Sequence, residues 1–292
     1  MDDRIIDFHT HIYPAMLARR AMKVAGREHD DYEKLPVKEN LLKRMEEEHV
    51  ALSVVLHVVT KPANGTDVNR FAREIMRPGL ISFGGLHPDC DHVQEEIEKL
   101  RDMGMAGIKF HPPFQMVKLD AEKYGPMWRH INRLGFPVLI HCGSARVKGP
   151  YDLYPDGAER VIRLLPDVPV ILAHMGGRSM DPGAETLLYR FPENVYIDTA
   201  MSAERQELSD FERMVEAMGP ERVVFGSDFP YGTQEAAVAF IKNSCFSETE
   251  KVMMLEKNAE RILGNTIRMD SWERMTGAGW RAPALSRAFV HR

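Results

Sequence analysis

The sequence lacks the features that mark membrane, secreted and disulfide-rich proteins. No apolar run among its 292 residues approaches the ~20 residues of a membrane span, and Met1-Asp2-Asp3-Arg4 leads into the first apolar run without a signal-peptide core. Its three cysteines, Cys90, Cys142 and Cys245, are far apart and form no CxxC pattern, which is typical of a reducing compartment. We therefore expect a cytoplasmic protein that contacts no membrane.

The sequence also has no concentrated block of positive charge. Its 38 Lys and Arg residues against 43 Asp and Glu give a net charge of −5, which argues against a nucleic-acid partner. No glycine-rich phosphate loop is present, because Gly84-Gly85 and Gly176-Gly177 are isolated pairs. The hydrophobic content of 44% is enough for a large core. These observations favour a globular protein that acts on a small molecule.

What the chain does contain is a regular alternation of short apolar runs and helical stretches. The runs predict strands at 5–11, 51–57, 80–86, 106–110, 137–140, 168–173, 195–198 and 223–228. Helices fill the intervals, and the last one opens with a capping box formed by Ser247 and Glu250. Eight strand–helix repeats predict parallel pairing in one α/β domain, a (β/α)8 TIM barrel over residues 1–264. Residues 265–292 form a C-terminal extension that we expect to pack on the barrel or on a partner subunit.

Polar residues follow the apolar runs at the ends where TIM barrels place their active sites. They are His9 and His11 on the first run, His87, His111, His141 and His174 on later runs, and Asp228 on the last. Each buried imidazole needs a partner, and a shared divalent metal satisfies several at once. The pattern therefore predicts a metal site at the C-terminal rim of the barrel.

Individual positions carry different interpretations. His9 and His11 lie two residues apart on one strand, so both side chains project to the same side, and Asp7 is expected there too, orienting them. Asp228 is either a metal ligand or an N-cap of the following helix. Of His141 and His174, at least one is expected to bind metal, while the other acts on the substrate.

Other polar residues near the predicted rim are assigned to substrate binding or to packing. Lys109 and His111 share a face of the fourth strand. Lys109 is interpreted as a carboxylated metal bridge, as an anion-binding group or as a partner of Asp228. Arg178 either anchors a substrate carboxylate or forms a surface salt bridge. His57 and His87 are expected to pack against the rim.

Five stretches of the sequence together resemble the amidohydrolase superfamily. They are Asp7–His11, Gly107–Pro112, His141–Gly143, Ala173–Gly177 and Gly226–Pro230, and the similarity extends from residue 4 to about residue 264. The most similar branch is amidohydrolase-2, which includes aminocarboxymuconate-semialdehyde decarboxylase and related aromatic-acid decarboxylases. The resemblance implies a distorted TIM barrel, a homodimer and one divalent metal, usually Zn²⁺, although Mn²⁺, Fe²⁺ and Co²⁺ also accept such ligands. It also implies His9, His11, His141 and Asp228 as metal ligands, His174 as a catalytic residue, and no ligand role for Lys109.

Three functions follow from this set of residues. Our main expectation is a hydrolase that cleaves an amide, lactone or ester of a small molecule with metal-activated water, with Asp228 transferring the proton and His174 stabilising the oxyanion. The first alternative is a metal-dependent, non-oxidative decarboxylase of a small aromatic or unsaturated acid. Its aromatic ring would lie among Phe114, Tyr151, Tyr154, Phe229 and Tyr231, and Lys109, His111 and Arg178 would bind its polar groups. The second alternative is a catalytically silent metal-binding relative.

Overall fold

The computed structural model describes residues 4–27, 32–145, 148–181 and 191–264. The predicted extension, residues 265–292, lies outside the described residues. Within them, no helix combines the length and the apolar character needed to cross a membrane.

Eight parallel strands form a single sheet in sequence order, β1-β2-β3-β4-β5-β6-β7-β8. They are β1 (Ile5–Thr10), β2 (Val50–Leu56), β3 (Leu80–Gly85), β4 (Gly107–Phe110), β5 (Val138–Ile140), β6 (Val170–Leu172), β7 (Val195–Asp198) and β8 (Val223–Val224). The sheet closes between β8 and β1, where the Phe8 amide donates to the Phe225 carbonyl and the Asp228 amide to the His9 carbonyl, each at 2.8 Å. The predicted α/β fold, a (β/α)8 TIM barrel, is confirmed.

Helices connect the strands, as the alternation predicts. They are α1 (Ala15–Val24), α2 (Lys38–Glu47), α3 (Gly65–Glu74), α4 (Val93–Asp102), α5 (Pro112–Gln115), α6 (Gly125–Leu134), α7 (Pro155–Arg163), α8 (Ala173–Gly176), α9 (Ser202–Arg205), α10 (Leu208–Met218), α11 (Gln234–Lys242), α12 (Glu248–Val252) and α13 (Asn258–Gly264). A π-helical segment, Met253–Lys257, joins α12 to α13, and the predicted capping box of Ser247 and Glu250 opens α12.

The buried residues form an outer core and an inner core, because successive strand residues point to opposite faces. In β5, Val138 and Ile140 belong to the outer core with the helices, whereas Leu139 belongs to the inner core. Ile262 and Leu263 of α13 join the inner core beside Ile6 of β1. The chain thus fills the barrel interior with apolar side chains and leaves the C-terminal strand ends for polar ones.

The structure shortens the last predicted strand, which the sequence extends over 223–228. The sheet pairing of β8 ends at Val224, and Asp228 adopts a left-handed backbone conformation with φ 60°. Gly226 lies so close to β1 that a Cβ on this residue would stand 2.7 Å from the Cβ of His9. The segment after β8 therefore leaves strand geometry in order to bring Asp228 over the end of β1.

Candidate metal centre

The C-terminal ends of β1 and β8 bring three donor atoms into one triangle. His9 Nε2 lies 3.2 Å from His11 Nε2 and 3.2 Å from Asp228 Oδ1, and His11 Nε2 lies 3.3 Å from Asp228 Oδ1. A tetrahedral zinc site with ligand bonds of about 2.1 Å has ligand atoms about 3.4 Å apart. The spacing of these three atoms therefore fits one divalent metal ion.

Hydrogen bonds fix which imidazole nitrogens of this triangle carry protons. His11 Nδ1 lies 2.9 Å from the Leu56 carbonyl oxygen, which can only accept, so Nδ1 carries the hydrogen and Nε2 is a bare lone pair. His9 Nδ1 likewise faces a carboxylate oxygen of Asp198 at 2.7 Å. In the neutral form of both imidazoles, three acceptor atoms thus face one another, and a shared cation would offset their repulsion.

The charges of the triangle agree with this interpretation. Burial lowers the pKa of His9 well below its ordinary value, so its imidazole is neutral. Burial alone would raise the pKa of Asp228, but positive charge at His9, His11 and His174 outweighs it and holds this pKa below its usual range, so the carboxylate favours a cation at this point. Neutral imidazoles and an ionised carboxylate are the forms in which these side chains bind metal.

His174 lies on the other side of the triangle, and its donor atom is within 4.8 Å of those of His9 and Asp228. Its Nδ1 is 3.3 Å from the Ala200 carbonyl, and its Nε2 is 3.0 Å from His141 Nδ1. His174 is held in a left-handed conformation with φ 60°, which is uncommon outside glycine and concentrates at functional sites.

His141 lies next to His174, with the two ring centroids 4.6 Å apart. Its Nδ1 donates towards His174, so its Nε2 is bare, and this buried atom has no hydrogen-bond partner among the described residues. The structure therefore brings His174, rather than His141, next to His9 and Asp228. Metal binding by His141 and catalysis by His174 stay predictions.

The fourth strand contributes Lys109 and His111 to the same interior, as predicted from their shared face. The His111 ring stacks between the rings of His141 and Phe114, whose centroids lie 3.8 Å and 4.0 Å from its own. Its Nδ1 accepts the Phe114 amide at 3.4 Å, so its Nε2 carries the hydrogen. His111 therefore offers a hydrogen-bond donor at the rim.

Lys109 lies one layer deeper and is 0% exposed. Its Nζ has no hydrogen-bond partner among the described residues, which also contain no ion pair between Lys109 and Asp228. Burial lowers its pKa to about 8, although Asp198 and Asp228 oppose that shift. A largely protonated amine thus lies beneath the site without a neutralising contact.

Asp198, at the end of β7, is a site residue that the sequence interpretation missed. It is 0% exposed and holds His9 Nδ1 with one oxygen and the His174 amide with the other, each at 2.7 Å. A carboxylate at a strand end of the predicted barrel was the available signal, the same one that identified Asp228. The apolar pattern of Val195–Asp198 predicts a strand and no site residue.

Asp7 does not share the face of His9 and His11, and the prediction that it does is wrong, although its carboxylate accepts the His9 backbone amide at 3.2 Å. The pairing of β1 with β2 is irregular between Asp7 and Thr10, which interrupts the alternation and places Phe8 in the inner core. The Asp7 carboxylate accepts from Ser227 Oγ at 2.6 Å, from the Ser227 amide at 3.0 Å and from Gln234 Nε2 of α11 at 2.8 Å. Asp7 thus anchors the residue preceding Asp228 rather than the imidazole rings.

Arg178 forms the salt bridge that we considered as its alternative role. Its guanidinium contacts both carboxylate oxygens of Asp210, with Nε at 2.8 Å and Nη2 at 3.1 Å. This bidentate contact occupies the edge that a substrate carboxylate would need. Substrate binding by Arg178 stays a prediction that this geometry does not favour.

The remaining predicted rim residues have partners inside the protein. His57 Nε2 lies 3.3 Å from Ser82 Oγ, and His87 Nε2 lies 3.2 Å from the Gln115 carbonyl, as expected for packing. Tyr231 lies beside His11, with ring centroids 5.8 Å apart, and Tyr154 donates to Asp181 at 2.7 Å. Of the predicted aromatic residues, Tyr231 makes a ring contact with His11 and Phe114 makes one with His111.

Comparison with known proteins places this site in a family. Residues 6–264 match the amidohydrolase family Amidohydro_2, and the chain therefore belongs to it. The gamma-resorcylate decarboxylase of Rhodococcus jostii (strain RHA1) is 21% identical over 296 aligned residues, which cover 78% of this chain and 88% of that protein. The chain is thus an enzyme of the amidohydrolase superfamily, in which the site described above fits a divalent metal.

Two solved structures share the fold at low identity. A dihydroxybenzoic acid decarboxylase from Polaromonas sp. JS666, with bound manganese and the inhibitor 2-nitroresorcinol, has a TM-score of 0.69 at 18% identity, covering 89% of this chain and 97% of that chain. A putative 2-pyrone-4,6-dicarboxylic acid hydrolase from Pseudomonas putida has a TM-score of 0.65 at 19% identity, covering 91% and 99%. The same barrel thus occurs in proteins named for each of the two reactions that we considered.

Proposed function

We propose that this enzyme is a metal-dependent, non-oxidative decarboxylase of a small aromatic carboxylic acid. The triangle of bare donors formed by His9, His11 and Asp228 carries the metal dependence. The matched relative, a gamma-resorcylate decarboxylase, supports the reaction. Our main expectation from the sequence, a hydrolase, is less well supported, because the curated relatives are named for decarboxylation.

His9, His11 and Asp228 would hold the metal, with His141 as the further ligand that the family resemblance implies. When bound, the metal would orient the substrate through its anionic oxygens and offset their charge. Zinc was our expectation, and manganese is the ion in the Polaromonas structure, so both belong in the test. We also keep the homodimer as a proposal, which light scattering on the purified protein tests.

The other polar groups bind the substrate and transfer a proton. The stacked rings of Phe114 and His111 offer a flat surface for an aromatic ring, and the Nε2–H of His111 donates to a ring substituent. Lys109 supplies positive charge beneath the site, which favours an anionic substrate. The bond between the ring carbon and the carboxylate breaks, carbon dioxide leaves, and the same carbon takes up a proton.

Asp228 and His174 are the proposed proton-transfer pair. Their donor atoms lie within 4.8 Å of each other, so a proton taken up by the imidazole stays beside an ionised carboxylate. The attraction between imidazolium and carboxylate stabilises that state until the ring carbon accepts the proton. Asp228 thus combines ligation with proton transfer.

The test is to incubate metal-free, Zn²⁺-loaded and Mn²⁺-loaded protein with γ-resorcylate. We expect metal-dependent release of carbon dioxide and formation of resorcinol, measured by chromatography. A panel of lactones, amides and esters runs in parallel. Hydrolysis of a panel member without any decarboxylation would overturn the proposal and restore the hydrolase.

A further inference from the structure

We infer that Asp198 is a positioning residue that sets the tautomer of His9 and so creates the lone pair that binds the metal. This inference rests on the proposed metal site. His9 has two nitrogens, and only a hydrogen held on Nδ1 leaves Nε2 free to face Asp228 and His11. The atom that holds this hydrogen in place belongs to Asp198, 189 residues away in sequence.

Both oxygens of Asp198 are committed by short contacts. Oδ2 lies 2.7 Å from His9 Nδ1, while Oδ1 accepts from the His174 amide at 2.7 Å and from the Ala200 amide at 3.1 Å. The side chain is 0% exposed, so water does not compete for these positions. With two amide donors on one oxygen, the carboxylate cannot rotate without losing hydrogen bonds.

The same contacts also hold His174. The Asp198 oxygen that accepts the His174 amide stabilises the left-handed backbone of that residue, and the Ala200 carbonyl receives His174 Nδ1. Asp198 therefore orients the ligand His9 through its ring and the proposed proton-transfer residue His174 through its backbone. Asp228 contacts the rings of His9 and His11 at Nε2, whereas Asp198 contacts His9 at Nδ1 and the backbone amide of His174.

An asparagine at position 198 separates this role from a merely structural one. Its oxygen would keep the two backbone amides, so its NH₂ group would face His9 Nδ1 and donate to it. The hydrogen of His9 would then move to Nε2, which blocks the metal position. Alanine at position 198 removes the hydrogen-bond acceptor without supplying a donor. Both variants lose the same negative charge, so electrostatics alone predicts equal effects.

The experiment compares Zn²⁺ affinity of wild type, Asp198→Asn and Asp198→Ala by competition with a chromophoric chelator. We expect losses of about 100-fold for Asp198→Asn and about 10-fold for Asp198→Ala, in the range known for residues that orient metal ligands. Asp7→Asn is the matched control, because Asp7 is equally buried but contacts no ring nitrogen. We expect it to change Zn²⁺ affinity less than either Asp198 variant.

The outcomes separate this inference from the proposed function. Wild type without measurable Zn²⁺ or Mn²⁺ affinity overturns the metal site itself. Wild type that binds metal while Asp198→Asn binds within threefold, or binds better than Asp198→Ala, overturns the role of Asp198. If the variants do not fold, ¹⁵N NMR of histidine-labelled, metal-free wild type decides: we expect the Nδ1–H form of His9, and the Nε2–H form contradicts the inference.

Discussion

The two sides of the barrel mouth are built differently. On the side of β8 and β1, Asp198 holds the Nδ1 atom of His9 and the Leu56 carbonyl holds that of His11. The backbone amide of Asp228 donates to the His9 carbonyl. On the side of β4 and β5, Lys109 Nζ and His141 Nε2 are buried without a hydrogen-bond partner among the described residues. An unsatisfied buried polar atom costs about 1–3 kcal/mol, which a hydrogen bond from a bound substrate would offset. We propose that the first side binds the ion and that the second binds the substrate.

We expect the largest effect, a loss of bound metal, from substitutions in the donor triangle on the side of β8 and β1. His9→Ala and Asp228→Ala each remove one corner of the donor triangle, and a site with two remaining donors binds divalent ions weakly. We expect the metal content to fall from about one equivalent to near zero in both variants, measured by elemental analysis after dialysis. Retention of a full equivalent in either variant would contradict the assignment of these ligands.

The second-largest effect concerns Asp7, which holds Ser227 next to Asp228, and it is measured as a change in stability with pH. Burial raises the pKa of Asp7 from 3.8 to about 6, although its hydrogen bonds with Ser227 and Gln234 oppose the shift. The folded protein therefore binds more protons than the unfolded chain between about pH 4 and 6, so the free energy of unfolding falls as the pH rises through this window. Across this window, the shifted pKa of Asp7 lowers the free energy of unfolding by about 3 kcal/mol in total.

Asp7→Asn isolates this contribution. Its side chain does not titrate, so the difference in unfolding free energy between wild type and variant should change by about 3 kcal/mol from pH 4 to pH 7. Denaturant titrations at several pH values measure it, and the contributions of all other groups cancel in the difference. A difference that is independent of pH would show that Asp7 has an ordinary pKa in the fold.

Lys109→Met tests the other side of the mouth. Removing a buried amine that has no partner, with an unbranched apolar side chain in its place, should raise the unfolding free energy by about 1 kcal/mol. The same variant should raise KM for an anionic substrate at least about tenfold, because the positive charge beneath the site is lost. Unchanged KM together with lower stability would assign Lys109 a structural role only.

Arg178→Gln is expected to have the smallest effect. The salt bridge with Asp210 is partly exposed, at 21% and 17% for the two side chains, so its loss should cost no more than about 1 kcal/mol. KM should stay within about twofold. If KM rises more than this for a carboxylate substrate but not for an uncharged analogue of the same ring, Arg178 is restored as the predicted carboxylate anchor.

Much of the barrel could be predicted from local pattern. Strands such as β7 match the predicted bounds, because a short apolar run between helical stretches has one stable place in a parallel barrel. The end of β8 could not be predicted, since Gly226 and the left-handed Asp228 respond to β1, which is more than 200 residues away in sequence. The face of Asp7 could not be predicted either, because the irregular pairing of β1 depends on its contact with β2, which is distant in sequence.

The same distinction between local pattern and tertiary contact applies to the candidate site. The sequence by itself determined that imidazoles and a carboxylate meet at one rim, because parallel strands of one barrel end on the same side. Only the tertiary structure decided which nitrogen of His9 is bare, that Asp198 holds the other, and that Arg178 is paired with Asp210. Local pattern specifies the strand on which a residue lies, whereas its proton and its partner depend on atoms that only folding brings within 3 Å.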